Sequence, residues 1–563
     1  MQERHPDRAF WIFWILIQLG LGWLDFINMP VFGMHQGAQA DRACVAWNFW
    51  HESMNFFEPR VMENRAAEGV AGMEFPILPY ITSLLYQIFG FKPIIYRLLM
   101  GSLVTYGMWA AWRILSLHIT RTLSKLALLG IYYLSPTFVF YTWNFLSDPA
   151  ALSLSIIALY HWIQWQYNIE TKKNWILYLV LITFTGLIKV SFLIVHIAVC
   201  LVLFTESRRK NQSVIKTADN TYQILDETED RISFPKFNPL TLILPILPII
   251  AWVYYAKQLT ELTYNTHFLQ QINPSHSVSE FISVTQYSLN TWVDSLYIPW
   301  CITGILLVWI YTIIKNRTTL SVFEQLSVWL FLGFGGLYFL FHLQFRYHDY
   351  YFLSAWPFIF FAIFSLQQRY LNGQIFLQGL PAIASMLGLW IIPFVGFGHA
   401  NRMLHHRFTP NDYYAQNVIT DIHDLEILGS WLKINNAQDQ EVFVAFDPSP
   451  NTALYALQTK GVRLGPDYQA DLAKDIYNSK IRQDISNAKF FPNTAASHNN
   501  SSNDATPNSR GPKNAENRHL RSLGYIVTND TARWFKEYAN ISVPTASHKP
   551  LTQSGKWFIF AIK

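Results

Sequence analysis

Hydrophobic positions in this chain gather into long stretches separated by short basic loops, the pattern of a protein that crosses a bilayer many times. A membrane-spanning helix needs about 20 mainly apolar residues. Such stretches recur at 9–29, 96–115, 126–143, 149–165, 175–189, 191–205, 238–256, 300–314, 325–343, 353–367 and 375–398. Lys and Arg concentrate in short cytoplasmic loops. With the N-terminus inside, the loops holding Arg121 and Lys125, Lys172 and Lys173, Arg208 to Lys210, Lys315 and Arg317, and Arg369 all fall on the cytoplasmic side. The pattern therefore predicts an α-helical polytopic membrane protein of about 11 spans over 1–398. It leaves three pieces on the opposite side, 30–95, 257–299 and everything after 398, and a polar cytoplasmic insert at 206–237.

Beyond residue 398 the pattern changes. Short β-rich runs, EVFVAF at 441–446, YIVT at 525–528 and KWFIFAI at 556–562, alternate with helical stretches, which predicts a small extracytoplasmic α/β domain over 399–563. Within it, 493–519 is poor in apolar residues and rich in Asn and Ser, the composition of a disordered insertion.

Composition agrees with lipid as the solvent. Only 14% of the 563 residues are charged and 51% are hydrophobic, where a soluble domain carries about 25% charged residues. The mean hydropathy of +0.15 is modest, because the polar C-terminal region dilutes the spans. The net charge of +5 is accounted for by cytoplasmic loops and does not point to nucleic acid. Cys44, Cys200 and Cys301 lack metal-binding spacing and form no disulfide framework. The first span is followed by no small-residue cleavage site and reads as uncleaved. No Gly-rich dinucleotide or P-loop motif is present, which argues against a nucleotide enzyme.

Four segments bear groups capable of chemistry. The first outer loop, GMHQGAQADRACVAWNFWHESMNFFEPRV followed by GMEFPILPYITSLLYQIFG, places Asp41, Arg42, Arg60 and Glu74 near the membrane surface. A carboxylate there can take the proton of an attacking hydroxyl, and a cation can neutralise a departing phosphate; solvated loop charges are the plain alternative. In NFLSDPAALSL, Asp148 stands where two apolar stretches meet, fit either to cap the following helix or to serve a site. Lys189, in GLIKVSF, lies between two apolar stretches with no polar loop around it; such a cation faces a cavity or partner, or else snorkels. FRYHDYYFLSAWPF gathers Arg346, His348, Asp349, Tyr350 and Tyr351 at an outer junction. Arg346 and His348 suit phosphate contact, while the tyrosines fit an interfacial belt or the lining of a sugar site.

Taken in order, QADRACVAWNF, EFPILPYITSLLYQIFG, FLSDPAALSLSIIALY and HDYYFLSAWPF resemble the polyprenyl-phosphate-dependent glycosyltransferases of the GT-C fold. The likeness is greatest to the bacterial branch related to protein O-mannosyltransferases and the lipid A aminoarabinose transferase. It covers roughly residues 10–370. The resemblance implies a multi-pass enzyme of the cytoplasmic (inner) membrane that takes a sugar from a polyprenyl-phosphate-linked donor, on the outer face. The acceptor would be a hydroxyl of a glycan, lipid or protein. It places Asp41 at the position of the family's catalytic acid, with inversion at the anomeric carbon. Arg42, Arg60, Lys189, Arg346 and His348 become donor-phosphate ligands, Tyr350 and Tyr351 substrate-lining residues. Glu74 and Asp148 would position the acceptor or hold a divalent metal through oxygen ligands. The sequence departs from the family pattern at Gly37–Ala38, where an Arg is usual, and at Arg42, where the mannosyltransferases have Glu. The alternatives are a lipid-glycan transporter or flippase, which would be expected to show inverted repeats, and an envelope-assembly protein anchored by its spans.

Overall fold

The computed structural model describes residues 7–63, 67–119, 121–167, 169–212, 214–216, 222–224, 235, 237–263, 268–269, 272–371, 380–408, 422–435, 441–445, 451–464, 523–528, 552–554 and 557–561. Among the described residues, each of the eleven apolar stretches falls largely on helix. The chain begins with α1 (Arg8–Gly20) and α2 (Trp23–Phe26), separated where Gly22 takes a left-handed conformation at φ +71°. The first loop folds as α3 (Gln36–His51) and α4 (Ile77–Phe89). Next come α5 (Pro93–His118), α6 (Thr122–Tyr133), α7 (Pro136–Thr142), α8 (Asp148–Gln166), α9 (Thr171–Ile188) and α10 (Leu193–Gln212). After α10 a short hairpin pairs β1 (Val214–Lys216) with β2 (Tyr222–Ile224). The second half holds α11 (Ile246–Thr263), α12 (Val278–Leu296), α13 (Pro299–Lys315), α14 (Val322–Leu340), α15 (His342–Phe345), α16 (Trp356–Leu371) and α17 (Leu380–Arg407).

Prolines set several of these boundaries. Proline fixes φ and offers no N–H, so it starts a helix well and continues one badly. Pro136 and Pro299 each open a helix after a sharp turn, and α6 meets α7 at 85° while α12 meets α13 at 100°. Among the described residues, five helical segments are long and apolar enough to cross a membrane by length and composition, or seven if each bent pair is one span.

The chain divides into two compact units. The first comprises Met1–Met29, Lys92–Tyr254 and Gln270–Thr409. Its outward positions include Leu16, Leu307, Ile314 and Phe394, all more than 60% exposed, whereas Asn144, Ser155, Gln166 and Thr185 are fully buried. That distribution suits a lipid solvent, which rewards neither the burial of apolar side chains nor the exposure of polar ones. Small residues let the helices approach: a Cβ on Gly107 of α5 would lie 2.6 Å from Cβ of Ser153 on α8. α8 and α9 pack along their length as a helical hairpin with its turn at 167–170.

The second unit comprises Pro30–Phe91, Tyr255–Leu269 and Pro410–Lys563. It contains α3, α4, α18 (Ile422–Ile434), α19 (Thr452–Leu457) and a five-stranded mixed sheet. The strands are β3 (Glu441–Ala445), β4 (Gly461–Leu464), β5 (Leu523–Thr528), β6 (Thr552–Ser554) and β7 (Trp557–Ala561), in the spatial order β4-β3-β5-β7-β6. β3 runs parallel to β4 and β5, and β7 runs antiparallel to β5 and β6. Val442 and Val444 are both fully buried, the two-residue period of a strand with a covered face. Gly461 admits no side chain, since a Cβ would meet the Val442 carbonyl oxygen at 2.0 Å.

The β-rich runs expected after residue 398 form β3, β5 and β7. The boundary itself lies further along, because α17 carries the chain through His399 to Arg407 and the second unit resumes at Pro410. The same unit takes in the first loop and Tyr255–Leu269, whereas the rest of the expected outer piece 257–299, from Gln270 on, belongs to the first unit. The Asn- and Ser-rich stretch 493–519 lies outside the described residues.

Candidate functional site

In the second unit, α3 presents Asp41 and Arg42 side by side. The Asp41 carboxylate accepts a hydrogen bond from Asn451 Nδ2 at 2.8 Å, and Arg42 Nη1 stands 3.9 Å from its other oxygen. Arg42 Nη2 donates to Glu74 Oε2 at 3.3 Å, and Nη1 donates to the Ala38 carbonyl at 3.1 Å. Asp41, Arg42 and Glu74 thus form one group, each side chain between 12% and 15% exposed. One guanidinium thus faces two carboxylates. Cys44, one turn along, donates to the Asp41 carbonyl; burial, reinforced by the Asp41 charge, pushes its thiol pKa well up and disfavours the thiolate.

Arg60 belongs to a different cluster of that unit. It donates to Glu68 Oε2 at 3.0 Å and lies within 4 Å of Glu52 and Glu58. Lys460 completes the cluster with bonds of 2.7 Å to Glu52 Oε2 and to the Glu68 carbonyl. Burial lowers the Lys460 pKa, against the opposing pull of Glu52. Among the described residues no three His, Cys, Asp or Glu side chains converge as a metal site would need; between Asp41 and Glu74 the positive charge is that of Arg42.

In the first unit Lys189 and Asp148 meet. Their charged atoms are 3.6 Å apart and both side chains are 2% exposed. The helical hairpin explains the meeting, since Asp148 opens α8 and Lys189 follows the last residue of α9. Each charge also sits at the helix end that favours its sign, an acid in a first turn and a cation at a C-terminus. Lys189 does not snorkel. Its Nζ lies 5.2 Å from the Tyr351 ring centroid and 6.0 Å from that of Tyr350, within or at the edge of cation–π reach. The His348 ring adjoins both tyrosines at 5.2 and 5.8 Å. Arg346 turns elsewhere, over Tyr287 at 5.2 Å and Tyr347 at 5.4 Å. The late cluster is thus divided: Tyr350, Tyr351 and His348 gather at Lys189, and Arg346 does not.

Three residues that sequence reasoning missed organise these groups. Arg407, at the end of α17, pairs with Asp349 in a fully buried ion pair, N to O 2.5 Å. Thr137 Oγ1 and Tyr141 OH each lie 2.9 Å from an Asp349 oxygen. The pair anchors the 3-10 segment Asp349–Ala355, which carries Tyr350 and Tyr351. Arg97, fully buried at the start of α5, donates to the Trp143 and Met29 carbonyls and to Asn144. Asn451 precedes α19 and is fully buried. Arg407 could have been found by carrying the last apolar stretch on through residue 407; Asn451 left no signal in sequence.

No family model matches the chain, and no curated protein matches it by sequence. Its fold has known counterparts. It is similar to ArnT from Cupriavidus metallidurans in the apo state, 9% identical, covering 98% of this chain and 98% of that one, with a TM-score of 0.56. The same protein bound to undecaprenyl phosphate is similar at 10% identity, 99% and 98% coverage and a TM-score of 0.57. The Archaeoglobus fulgidus oligosaccharyltransferase in the apo form is 11% identical over 92% of this chain and 69% of that one, with a TM-score of 0.52. The GT-C fold expected from the sequence motifs is the fold the chain has.

Proposed function

We propose that this chain is a membrane glycosyltransferase that moves a sugar from a polyprenyl-phosphate-linked donor to a hydroxyl on a glycan, lipid or protein acceptor. It would act at the outer face of the cytoplasmic membrane, with the N-terminus inside and the second unit outside. The observation that carries this reading is the Asp41 carboxylate, held on α3 by a neutral amide and flanked by Arg42. A carboxylate fixed in orientation is what a general base requires.

In the proposed reaction Asp41 accepts the proton of the acceptor hydroxyl as that oxygen attacks the anomeric carbon. The bond from that carbon to the phosphate oxygen breaks on the opposite face, and the electron pair departs with the polyprenyl phosphate. Configuration inverts. Phosphate is a good leaving group once its charge is met, so no strong general acid is needed. Lys189 supplies that charge, with Tyr350 and Tyr351 bordering it. Supporting a lipid-phosphate donor, a protein of the same fold has been seen with undecaprenyl phosphate bound. Glu74, tied to Arg42, steadies the Asp41 group and orients the acceptor.

Membranes containing the protein, supplied with a radiolabelled polyprenyl-phosphate-linked sugar and acceptor-bearing envelope material, test the proposal. Asp41→Asn should abolish transfer at an unchanged protein level. Equal transfer by parent and variant would remove Asp41 from the mechanism.

A further inference from the structure

Asn451 lies 410 residues beyond Asp41 and touches it. Its side-chain amide is used at both ends: Oδ1 accepts from the Glu63 backbone N–H at 2.9 Å, and Nδ2 donates to Asp41 Oδ1 at 2.8 Å. The orientation is therefore fixed by chemistry. An amide has one acceptor end and one donor end, and a backbone N–H can bond only to the former, so the NH2 group must face the carboxylate. The amide is fully buried, and an amide reversed there would lose two bonds at once.

The surroundings make that grip firm. Gly461 N–H donates to the Met62 carbonyl at 3.3 Å, and Glu63 forms an isolated parallel bridge with Gly461. Asn48 Nδ2, on the same helix as Asp41, donates to the Arg60 carbonyl at 2.8 Å. Residues 60–63 are thus stitched to α3 on one side and to the segment 451–461 on the other. Asn451 spans both.

We infer that Asn451 is a positioning residue for the proposed base: it sets the plane of the Asp41 carboxylate and leaves the second oxygen toward Arg42. This inference rests on the proposed role of Asp41. A neutral donor suits the task. A cation in its place would add to the charge of Arg42 and weaken the base, and a carboxylate would repel it. The part of the chain that follows the last apolar stretch then contributes to the chemistry itself, by holding the acid supplied by the first loop.

The test compares the full-length parent with Asn451→Leu, Asn451→Asp and Asp41→Asn in membranes, reading protein level, kcat, KM for the lipid-linked donor and the pH profile of kcat/KM. Asn451→Leu removes the donor. Turnover should fall at least tenfold with KM for the donor changed less than twofold, because the donor's ligands are untouched. The acid limb of the profile should also move to higher pH by about half to one unit, since losing an N–H donor raises a carboxylate's proton affinity. Asn451→Asp keeps size and the acceptor for Glu63 N–H but opposes two carboxylates, so its acid limb should move further in the same direction. A merely structural role would lower the amount of active protein without moving the limb. If Asn451→Leu does not accumulate, the Asp variant carries the test. Parent-like kcat and pH profile in either variant, with Asp41→Asn inactive, would overturn the inference and leave the proposed function standing. An active Asp41→Asn would instead sink the function assigned to Asp41.

Discussion

Replacing Arg407 with methionine would withdraw the cation from an ion pair whose partners have no solvent access. Breaking a buried pair by removing one member costs about 3–5 kcal/mol, because the survivor is left charged and uncompensated. The surroundings place the two single variants at different points in that range. Without Arg407, Asp349 keeps the Tyr141 hydroxyl at 2.9 Å. The single proton of Thr137 can serve either Asp349 Oδ2, at 2.9 Å, or the Ser295 carbonyl, at 2.8 Å. Retained hydrogen bonds to a charge are worth about 1.5–3 kcal/mol each, so Arg407→Met should cost about 3 kcal/mol. Asp349→Leu strands a guanidinium beside the neutral acceptor Thr137 Oγ1 at 3.1 Å and the faces of Phe140 and Tyr141, and should cost about 5 kcal/mol. The double variant removes both charges and should return to within about 1 kcal/mol of the parent, since apolar replacement of a buried pair is often neutral. The assay is the fraction of monodisperse protein left after timed heating in detergent. Such loss is irreversible, so all variants are compared at one heating rate. The order expected is parent, double variant, Arg407→Met, Asp349→Leu. A double variant no better than Asp349→Leu would show that the two residues do not act as a pair.

Two further outcomes follow from the site. Lys189→Met should raise KM for the lipid-linked donor about tenfold or more, the worth of one charge-assisted contact to phosphate, while binding of acceptor is unaffected; an unchanged donor KM would remove Lys189 from the donor site. Lys460, whose pKa burial holds below the ordinary 10.5, releases its proton in the folded state before the unfolded one. The unfolded chain then binds more protons, so stability relative to Lys460→Met should rise with pH through the window that ends near 10.5; a gap constant across that window, measured by heat challenge, would refute the assignment.

Much of the helical character of the first unit was legible from the long apolar runs, because lipid-facing helices require them and the described residues of each run are largely helical. The pairing of Asp148 with Lys189 was also within reach. Both were singled out separately, and they lie equally far from the α8–α9 turn, which in an antiparallel helical hairpin makes them neighbours. Arg407 was hidden by taking the last span to end at residue 398, when α17 runs on to residue 407. In the first loop, solvated charges stayed open as an alternative because the loop's partners are non-local: Arg42 reaches Glu74 across 32 residues and Asp41 reaches Asn451 across 410. Periodicity reports local geometry, and no local pattern announces an amide that arrives from so far along the chain. Arg60 shows a neighbourhood that sequence order also concealed. Its charge suggested a phosphate ligand, yet the fold surrounds it with Glu52, Glu58 and Glu68.

The bond between Asp41 and Asn451 also puts a clock into biogenesis. At roughly 5–20 residues per second, the ribosome needs on the order of 20–80 seconds to travel the 410 residues between them. Throughout that interval the first loop emerges, folds what it can and waits with its acid unheld. A nascent chain halted between residues 407 and 451 would carry every apolar stretch but lack Asn451, so under the proposed mechanism it would insert into the bilayer and remain inert.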